Sequence, residues 1–149
     1  MFTCRRLAFA ALTATAFTAL ASPASAQQID RIVTFGDSYA DDGNFFQLLG
    51  INPATTQIYT SGRFSGTTNY VDTLSDILGV PAENFAIGGA MAQTFPGGAT
   101  NTSCLSIPAS CPLGFTYEVD QFFNVGTQSS AFPNSTPSFD EGDLLTVSS

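Results

Sequence analysis

The 149-residue chain contains no histidine and no lysine, and its only basic side chains are four arginines. It therefore holds no imidazole, the side chain that most often acts as a general base near neutral pH. Basic residues are also too few to form a surface that attracts phosphate groups. The composition excludes nucleic acid as a partner and leaves any nucleophile without a histidine base inside these residues.

The amino-terminal segment lacks an apolar run long enough to cross a bilayer. Its apolar stretch, Leu7–Ala21, follows Arg5 and Arg6 and has about 15 residues, whereas a membrane span needs about 20. A positive start, a short apolar run and small residues before a cleavage position after Ala26 are typical of a secretory signal peptide, and a membrane anchor is the alternative. We expect residues 1–26 to be a signal peptide and the protein to be exported to the periplasm, the cell surface or the medium.

Two cysteines, Cys104 and Cys111, lie beyond the predicted cleavage position in a loop-like stretch. In an exported protein, such a close pair favours a disulfide. Metal binding is the weaker alternative, because the chain has neither a histidine nor enough cysteines to complete a site. We therefore predict a Cys104–Cys111 disulfide and no metal site.

Strand-like and helix-like patterns alternate along residues 27–149. The predicted strands are 31–35, 84–87 and 144–147, and the predicted helices are 41–49, 67–78 and 116–125. This order predicts an α/β fold, a three-layer, doubly wound (flavodoxin-like) parallel sheet. The last strand is expected in the middle of the sheet and ends just before the C-terminus. We therefore expect the sheet to be incomplete there and residues 27–149 to be the N-terminal part of a domain.

The same patterns predict which side chains are buried. Most of the 14 phenylalanines are expected in the core. The apolar contacts expected from the second and third helices are Val71, Leu74, Ile77 and Leu78, and Tyr117, Val119, Phe122 and Phe123.

A serine follows the first predicted strand in the run Phe35-Gly36-Asp37-Ser38. A serine between a strand and a helix has its hydroxyl at the carboxyl end of the strand, where open α/β sheets bind ligands. Its backbone N–H lies near a helix N-terminus, where developing negative charge is stabilised. The alternative is that Ser38 or Asp37 merely caps the helix.

The longer pattern Gly36-Asp37-Ser38-x-x-Asp41-x-Gly43-Asn44 resembles the first conserved block of the GDSL hydrolases, also called the SGNH family. Three later segments resemble other parts of the same family in the same order. They are Gly62–Ser65 with Asn69–Asp72 close behind, Asn84–Ala90, and Asp143–Ser148. The resemblance runs from about Ile29 to the end of the chain.

The resemblance implies a serine ester hydrolase of the carboxylesterase or lipase type, acting on a small-molecule or lipid ester without a cofactor. It implies that Ser38 is the nucleophile. It also implies that the backbone N–H groups of Ser38 and Gly89 form part of an oxyanion hole. The alternative for Gly88-Gly89 is a plain turn at a strand end. Four further residues, Asp37, Asp41, Gly43 and Asn44, are implied to shape the supporting loop.

The chain departs from the family pattern by lacking the third block, Gly-x-Asn-Asp, and the last block, Asp-x-x-His. We therefore expect a fragment that turns over esters poorly by itself. The alternative is a non-catalytic, acidic extracellular binding or surface module that retains the hydrolase fold. A C-terminal membrane barrel in a longer protein, as some exported family members have, is a further expectation.

Overall fold

The computed structural model describes residues 27–92, 100–101, 113–124 and 129–149. The predicted signal peptide and the predicted disulfide partners Cys104 and Cys111 lie outside these residues. Within the part of the chain that the structure describes, no helix is long and apolar enough to cross a bilayer.

The described residues form a sheet of three parallel strands: β1 (Arg31–Phe35), β2 (Ala82–Asn84) and β3 (Asp143–Val147), in the order β2-β1-β3. Helices lie between the strands along the chain, so the predicted α/β class with a parallel sheet is confirmed. β3 lies at one edge of the described sheet, and its place in the middle of a complete sheet stays a prediction. Leu145 and Val147 of β3 are about half exposed, which fits an incomplete sheet. The three-layer, flavodoxin-like arrangement stays a prediction.

The second strand begins earlier than predicted, at Ala82 rather than Asn84. Its polar Glu83 is accommodated because the carboxylate pairs with Arg31 of β1. Parallel hydrogen bonds continue beyond β2, where the N–H groups of Phe85 and Ile87 bind carbonyl oxygens of the β1 segment at 2.8 and 2.9 Å. The buried run 85–87 therefore forms the end of the ladder, where the chain leaves the regular strand.

The first helix, α1 (Asn44–Leu48), starts three residues later than predicted. Gly43 precedes it with a φ of 126°, a conformation that favours glycine and lies outside the helical region. The residues before it, from Asp41, form the capping turn rather than the helix.

The second helix, α2 (Tyr70–Leu78), begins at a capping box in which Asn69 and Asp72 bind each other's backbone. The predicted stop is confirmed, since Gly79 takes a left-handed conformation with φ of 68°. The predicted apolar face is only partly buried: Val71 is in the core, whereas Ile77 is 74% exposed. Because only one part of α2 packs against the rest of the fold, periodicity alone gave too large a buried face.

The third helix, α3 (Phe115–Phe123), packs against β1 through edge-on contact between the rings of Phe122 and Phe35. Phe122 is fully buried as predicted, but Phe123 is half exposed. Of the phenylalanines that the structure describes, six are buried, in agreement with the expected aromatic core: Phe35, Phe45, Phe46, Phe85, Phe122 and Phe132.

Candidate active site

Ser38 lies in a tight turn directly after β1, at the carboxyl end of the middle strand. Gly36 turns the chain with a φ of 141°, and a Cβ there would overlap Ser148, which follows β3. The carbonyl oxygen of Asp37 accepts the N–H of Asp41 at 3.0 Å, which closes the turn. Ser38 is partly exposed, and its hydroxyl has no hydrogen-bond partner among the described residues.

The carboxylate of Asp37 binds groups around its own turn. Its Oδ1 accepts the Tyr39 N–H at 3.1 Å and the Ser148 hydroxyl at 3.0 Å. The Asp37 N–H in turn donates to Ser148 Oγ at 3.2 Å. These contacts join the serine turn to the end of β3, so Asp37 shapes the loop and does not cap α1.

Asp41 is fully buried and joins the serine turn to the glycine segment after β2. Its Oδ1 accepts the Gly43 N–H at 2.7 Å, and its Oδ2 accepts the N–H groups of Phe45 at 3.2 Å and Gly88 at 2.6 Å. Burial raises the pKa of the Asp41 carboxyl, and these N–H groups oppose the rise. Asp41, rather than Ser38, receives the first N–H groups of α1, so the alternative that Ser38 caps the helix is wrong.

Buried asparagine amides make a second link between the same segments. Asn44 Nδ2 donates to the carbonyl oxygens of Asn84 and Ala86, both at 3.0 Å. Asn84 and Asn69 each donate through Nδ2 to the Ala40 carbonyl oxygen, at 2.7 and 2.6 Å. Among the described residues, every buried side-chain nitrogen and oxygen has a partner, so this network is fully satisfied.

Gly88 and Gly89 require glycine for different reasons. A Cβ on Gly88 would overlap the ring of Phe64. Gly89 has a φ of 77° in a turn that the Ala90 N–H closes by donating to the Ile87 carbonyl oxygen at 2.9 Å. Close packing explains Gly88 and turn geometry explains Gly89, so the glycines alone do not indicate catalysis.

Most backbone N–H groups of the two turns have a hydrogen-bond acceptor in the described part of the chain, but two do not. In the first turn, the N–H groups of residues 36, 37, 39, 40 and 41 all donate to protein oxygens; in the second, those of residues 85–88 and 90 do. The N–H groups of Ser38 and Gly89 have no acceptor among the described residues. Within these two described turns, the N–H groups left without an acceptor are thus the two that the family resemblance implies as oxyanion donors.

Ser38 lines a cleft of about 470 Å³. Neither a carboxylate nor an arginine lines it among the described residues, so the cleft suits an uncharged ligand. Gly89 does not line this cleft; its neighbour Gly88 packs against a wall residue, Phe64. The other lining residues are Tyr39, Tyr59, Ser65, Asn69 and Tyr70.

The Gly62–Ser65 segment supplies part of the cleft wall and an ion pair. Phe64 and Ser65 line the cleft, while Arg63 pairs with Asp72 of the α2 capping box. Burial raises the pKa of the neighbouring Asp42 to about 6, although the charge of Arg63 opposes the rise. The segment therefore holds the start of α2 against the cleft.

Glu118 of α3 belongs to the site, although the motifs do not single it out. Its carboxylate is fully buried and accepts two backbone N–H groups next to the two turns. Burial raises its pKa to about 8. The only signal in the sequence is its spacing of four residues from Phe122, which puts an acidic residue on the buried helix face.

A group of three carboxylates, Asp30, Asp140 and Asp143, lies at the opposite, amino end of the sheet with oxygens within 4.8 Å of one another. Arg31 already pairs with Asp143, so part of the negative charge of this group is balanced by the protein itself. The group is far along the strands from Ser38 and does not contribute to the cleft.

Comparison with known proteins gives limited support for the resemblance. No family model matches the chain. Over 69 residues the chain is 36% identical to a protein from Arabidopsis thaliana described as a GDSL esterase/lipase. The match supports a GDSL-like relationship. It covers 42% of this chain and 19% of the relative, so the chain spans about a fifth of that protein's length.

Proposed function

We propose that the protein is an exported serine ester hydrolase in which Ser38 forms an acyl-enzyme. The observation that carries the proposal is the pair of unpaired N–H groups, on Ser38 and Gly89, in a fold that pairs those of their neighbours. The partial similarity to a GDSL esterase/lipase favours the same reaction class. Export is proposed from the leader-like residues 1–26.

In the proposed reaction, Ser38 Oγ attacks the ester carbonyl carbon, and the N–H groups of Ser38 and Gly89 donate to the developing oxyanion. The new Oγ–acyl bond replaces the ester C–O bond, and the alcohol leaves with the proton that a base has taken from the serine hydroxyl. Water then hydrolyses the acyl-enzyme and restores Ser38. An uncharged ester fits best, because residues 27–149 have two arginines against 12 acidic residues and no charged side chain among the described residues lines the cleft.

Proton removal from Ser38 is the step that these residues support least. The chain has no histidine, and a carboxylate of ordinary pKa is a poor base for a serine hydroxyl. Loss of the histidine base typically costs several orders of magnitude in rate. We expect the 149-residue chain by itself to hydrolyse esters slowly.

A non-catalytic, acidic binding module is the second candidate, and the missing histidine favours it. Reading the encoding DNA beyond codon 149 separates the two candidates. Codons for Gly-x-Asn-Asp shortly afterwards and for Asp-x-x-His much later support the hydrolase. A stop at codon 149 with neither block in any frame favours the binding module.

The nucleophile is tested on the purified chain by chemical rescue. Free imidazole is added to supply the absent base, and hydrolysis of p-nitrophenyl butyrate is followed in the wild type, Ser38→Ala and Ser130→Ala. Ser130 is exposed and lies outside the site, so its variant is the matched control. We expect imidazole to raise the wild-type and Ser130→Ala rates above that of Ser38→Ala, which reports hydrolysis by imidazole alone. Equal rates for all three proteins, with no acyl adduct on Ser38 by mass spectrometry, would overturn the assignment.

A further inference from the structure

One buried carboxylate contacts both turns of the candidate site. Glu118 Oε2 accepts the Gly36 N–H at 2.7 Å, and Glu118 Oε1 accepts the Ile87 N–H at 3.1 Å. Gly36 lies two residues before Ser38, and Ile87 lies two residues before Gly89. The same side chain therefore binds the backbone at equivalent places before the two unpaired N–H groups.

We propose that Glu118 is a positioning residue for the Ser38 site, because its two carboxylate oxygens hold together the turns that present the Ser38 and Gly89 N–H groups. This inference rests on the proposed function. Glu118 acts through the backbone and does not line the cleft, so it is not a catalytic residue.

The geometry requires a group with two acceptor oxygens. The Ile87 N–H also donates to the Gly36 carbonyl oxygen at 2.9 Å, so the two segments already meet at one point. Glu118 adds a bond to each segment and fixes their relative orientation. A glutamine in its place offers one acceptor oxygen and one NH₂ group, which would face a backbone N–H as a second donor. The substitution Glu118→Gln therefore keeps the shape and removes half of the contact.

The electrostatic surroundings make this contact sensitive to protonation. Burial raises the pKa of Glu118 to about 8, the carboxylates of Asp41 and Asp37 add to the rise, and the N–H groups of Gly36 and Ile87 oppose it. Neither arginine in the described residues pairs with Glu118: Arg31 binds Asp143 and Glu83, and Arg63 binds Asp72. Protonation replaces one of its two acceptor oxygens by an O–H group, so the positioning contact is complete only when Glu118 is ionised.

The experiment is a pH titration of the wild-type chain by NMR from pH 5 to 9. Since the chain has three glutamates, the side-chain carboxyl ¹³C signal of Glu118 can be assigned and its midpoint measured directly. We expect the amide signals of Gly36 and Ile87, and also those of Ser38 and Gly89, to shift with that midpoint. If the amide signals of Ser38 and Gly89 do not shift with the Glu118 midpoint, the proposal is wrong.

Two substitutions complete the test. Glu118→Gln should abolish the shared titration and lower the Ser38-dependent, imidazole-rescued rate by about 10- to 100-fold, as expected when reacting groups are misplaced. Glu141→Gln, which removes an exposed charge near the start of β3, should change neither. An unchanged rescued rate in a folded Glu118→Gln chain would also contradict the proposal. If no Ser38-dependent rate exists even in the wild type, the proposed function fails, while the NMR titration still decides whether Glu118 positions the turns. The titration needs no variant, so poor folding of Glu118→Gln does not remove the test.

Discussion

Carboxylates at the two ends of the parallel sheet differ in their partners and in the direction of their pKa shifts. At the amino end, Arg31 Nε donates to Asp143 Oδ1 at 2.7 Å, and the guanidinium also pairs with Glu83. At the carboxyl end, Asp41 and Glu118 are fully buried and their described partners are backbone N–H groups. The pKa of Asp143 is lowered, chiefly by its hydrogen bond from Arg31, whereas burial raises the pKa values of Asp41 and Glu118.

This difference separates a structural end from a candidate functional end. At the amino end, the Arg31 guanidinium balances the charges of Asp143 and Glu83, so we assign this end a structural role. At the carboxyl end, carboxylates bind the N–H groups of both turns, and those of Ser38 and Gly89 stay unpaired. Buried carboxylates with raised pKa values concentrate at functional sites, so the carboxyl end is the candidate functional end.

The largest effect is expected from Asp41→Ala, which removes the main polar link of the carboxyl end. It leaves three N–H donors without their acceptor, those of Gly43, Phe45 and Gly88. We expect the free energy of unfolding to fall by about 4 kcal/mol, at 1–3 kcal/mol for each unsatisfied donor and with relief of the burial cost of the carboxylate. Urea denaturation measures it. Asp76→Ala, on an exposed position of α2, is the control and should change stability by less than about 0.5 kcal/mol. Similar losses for both variants would refute the role of Asp41.

The next effect is a fall in the free energy of unfolding as the pH rises, caused by the buried carboxyl groups at the carboxyl end of the sheet. The folded-state pKa of Glu118, about 8, lies above the ordinary glutamate value of 4.5. The stability that this raised pKa gives is therefore present below about pH 4.5 and is lost as the pH rises through 8. We expect a loss of about 3 kcal/mol between pH 5 and 8. Asp42, with a pKa of about 6, acts in the same direction. Unfolding midpoints measured across this range should fall in the wild type and fall less in Glu118→Gln; parallel curves would contradict the assignment.

A smaller effect is expected from Arg31→Gln, which opens the ion pair of the amino end. Losing the charged hydrogen bonds to Asp143 should lower the free energy of unfolding by about 2 kcal/mol at neutral pH. The lowered pKa of Asp143 gives stability that is present above pH 4 and lost on acidification, so the variant should also be less sensitive to acid. Thermal unfolding at pH 7 and pH 3 measures both. The imidazole-rescued rate should stay unchanged, and a large fall in it would show that the two ends are coupled.

The smallest effect on stability is expected from Ser38→Ala. The Ser38 hydroxyl has no partner among the described residues, so its removal should change the free energy of unfolding by less than about 0.5 kcal/mol. Urea denaturation measures the change in the free energy of unfolding. The imidazole-rescued hydrolysis rate of the same variant, which should be lost, is measured beside it. A substantial destabilisation would show that Ser38 has a structural contact and would weaken its assignment as a nucleophile.

Local pattern was sufficient for the strands that flank the site. The β-branched run 31–35 became β1 with its predicted bounds, and 144–147 became β3 with one residue added. Where side chains compete with the backbone, local pattern failed: the helix predicted from Asp41 starts at Asn44, because Asp41 itself binds the first N–H groups. Ile77 of α2 fits an apolar period but is exposed, since periodicity identifies a face and not the partner that covers it.

The sequence by itself determined the α/β class and the serine turn after β1, because both depend on contacts between near neighbours in the chain. It also showed that these 149 residues contain no histidine, which is a matter of composition. Only the tertiary structure decided that Asp41 and Glu118 would bind the turns that carry Ser38 and Gly89. The Asp41–Gly88 bond spans 47 residues and the Glu118–Gly36 bond spans 82, and no local pattern encodes which donors meet across such separations. Those long-range bonds leave the N–H groups of Ser38 and Gly89 unpaired.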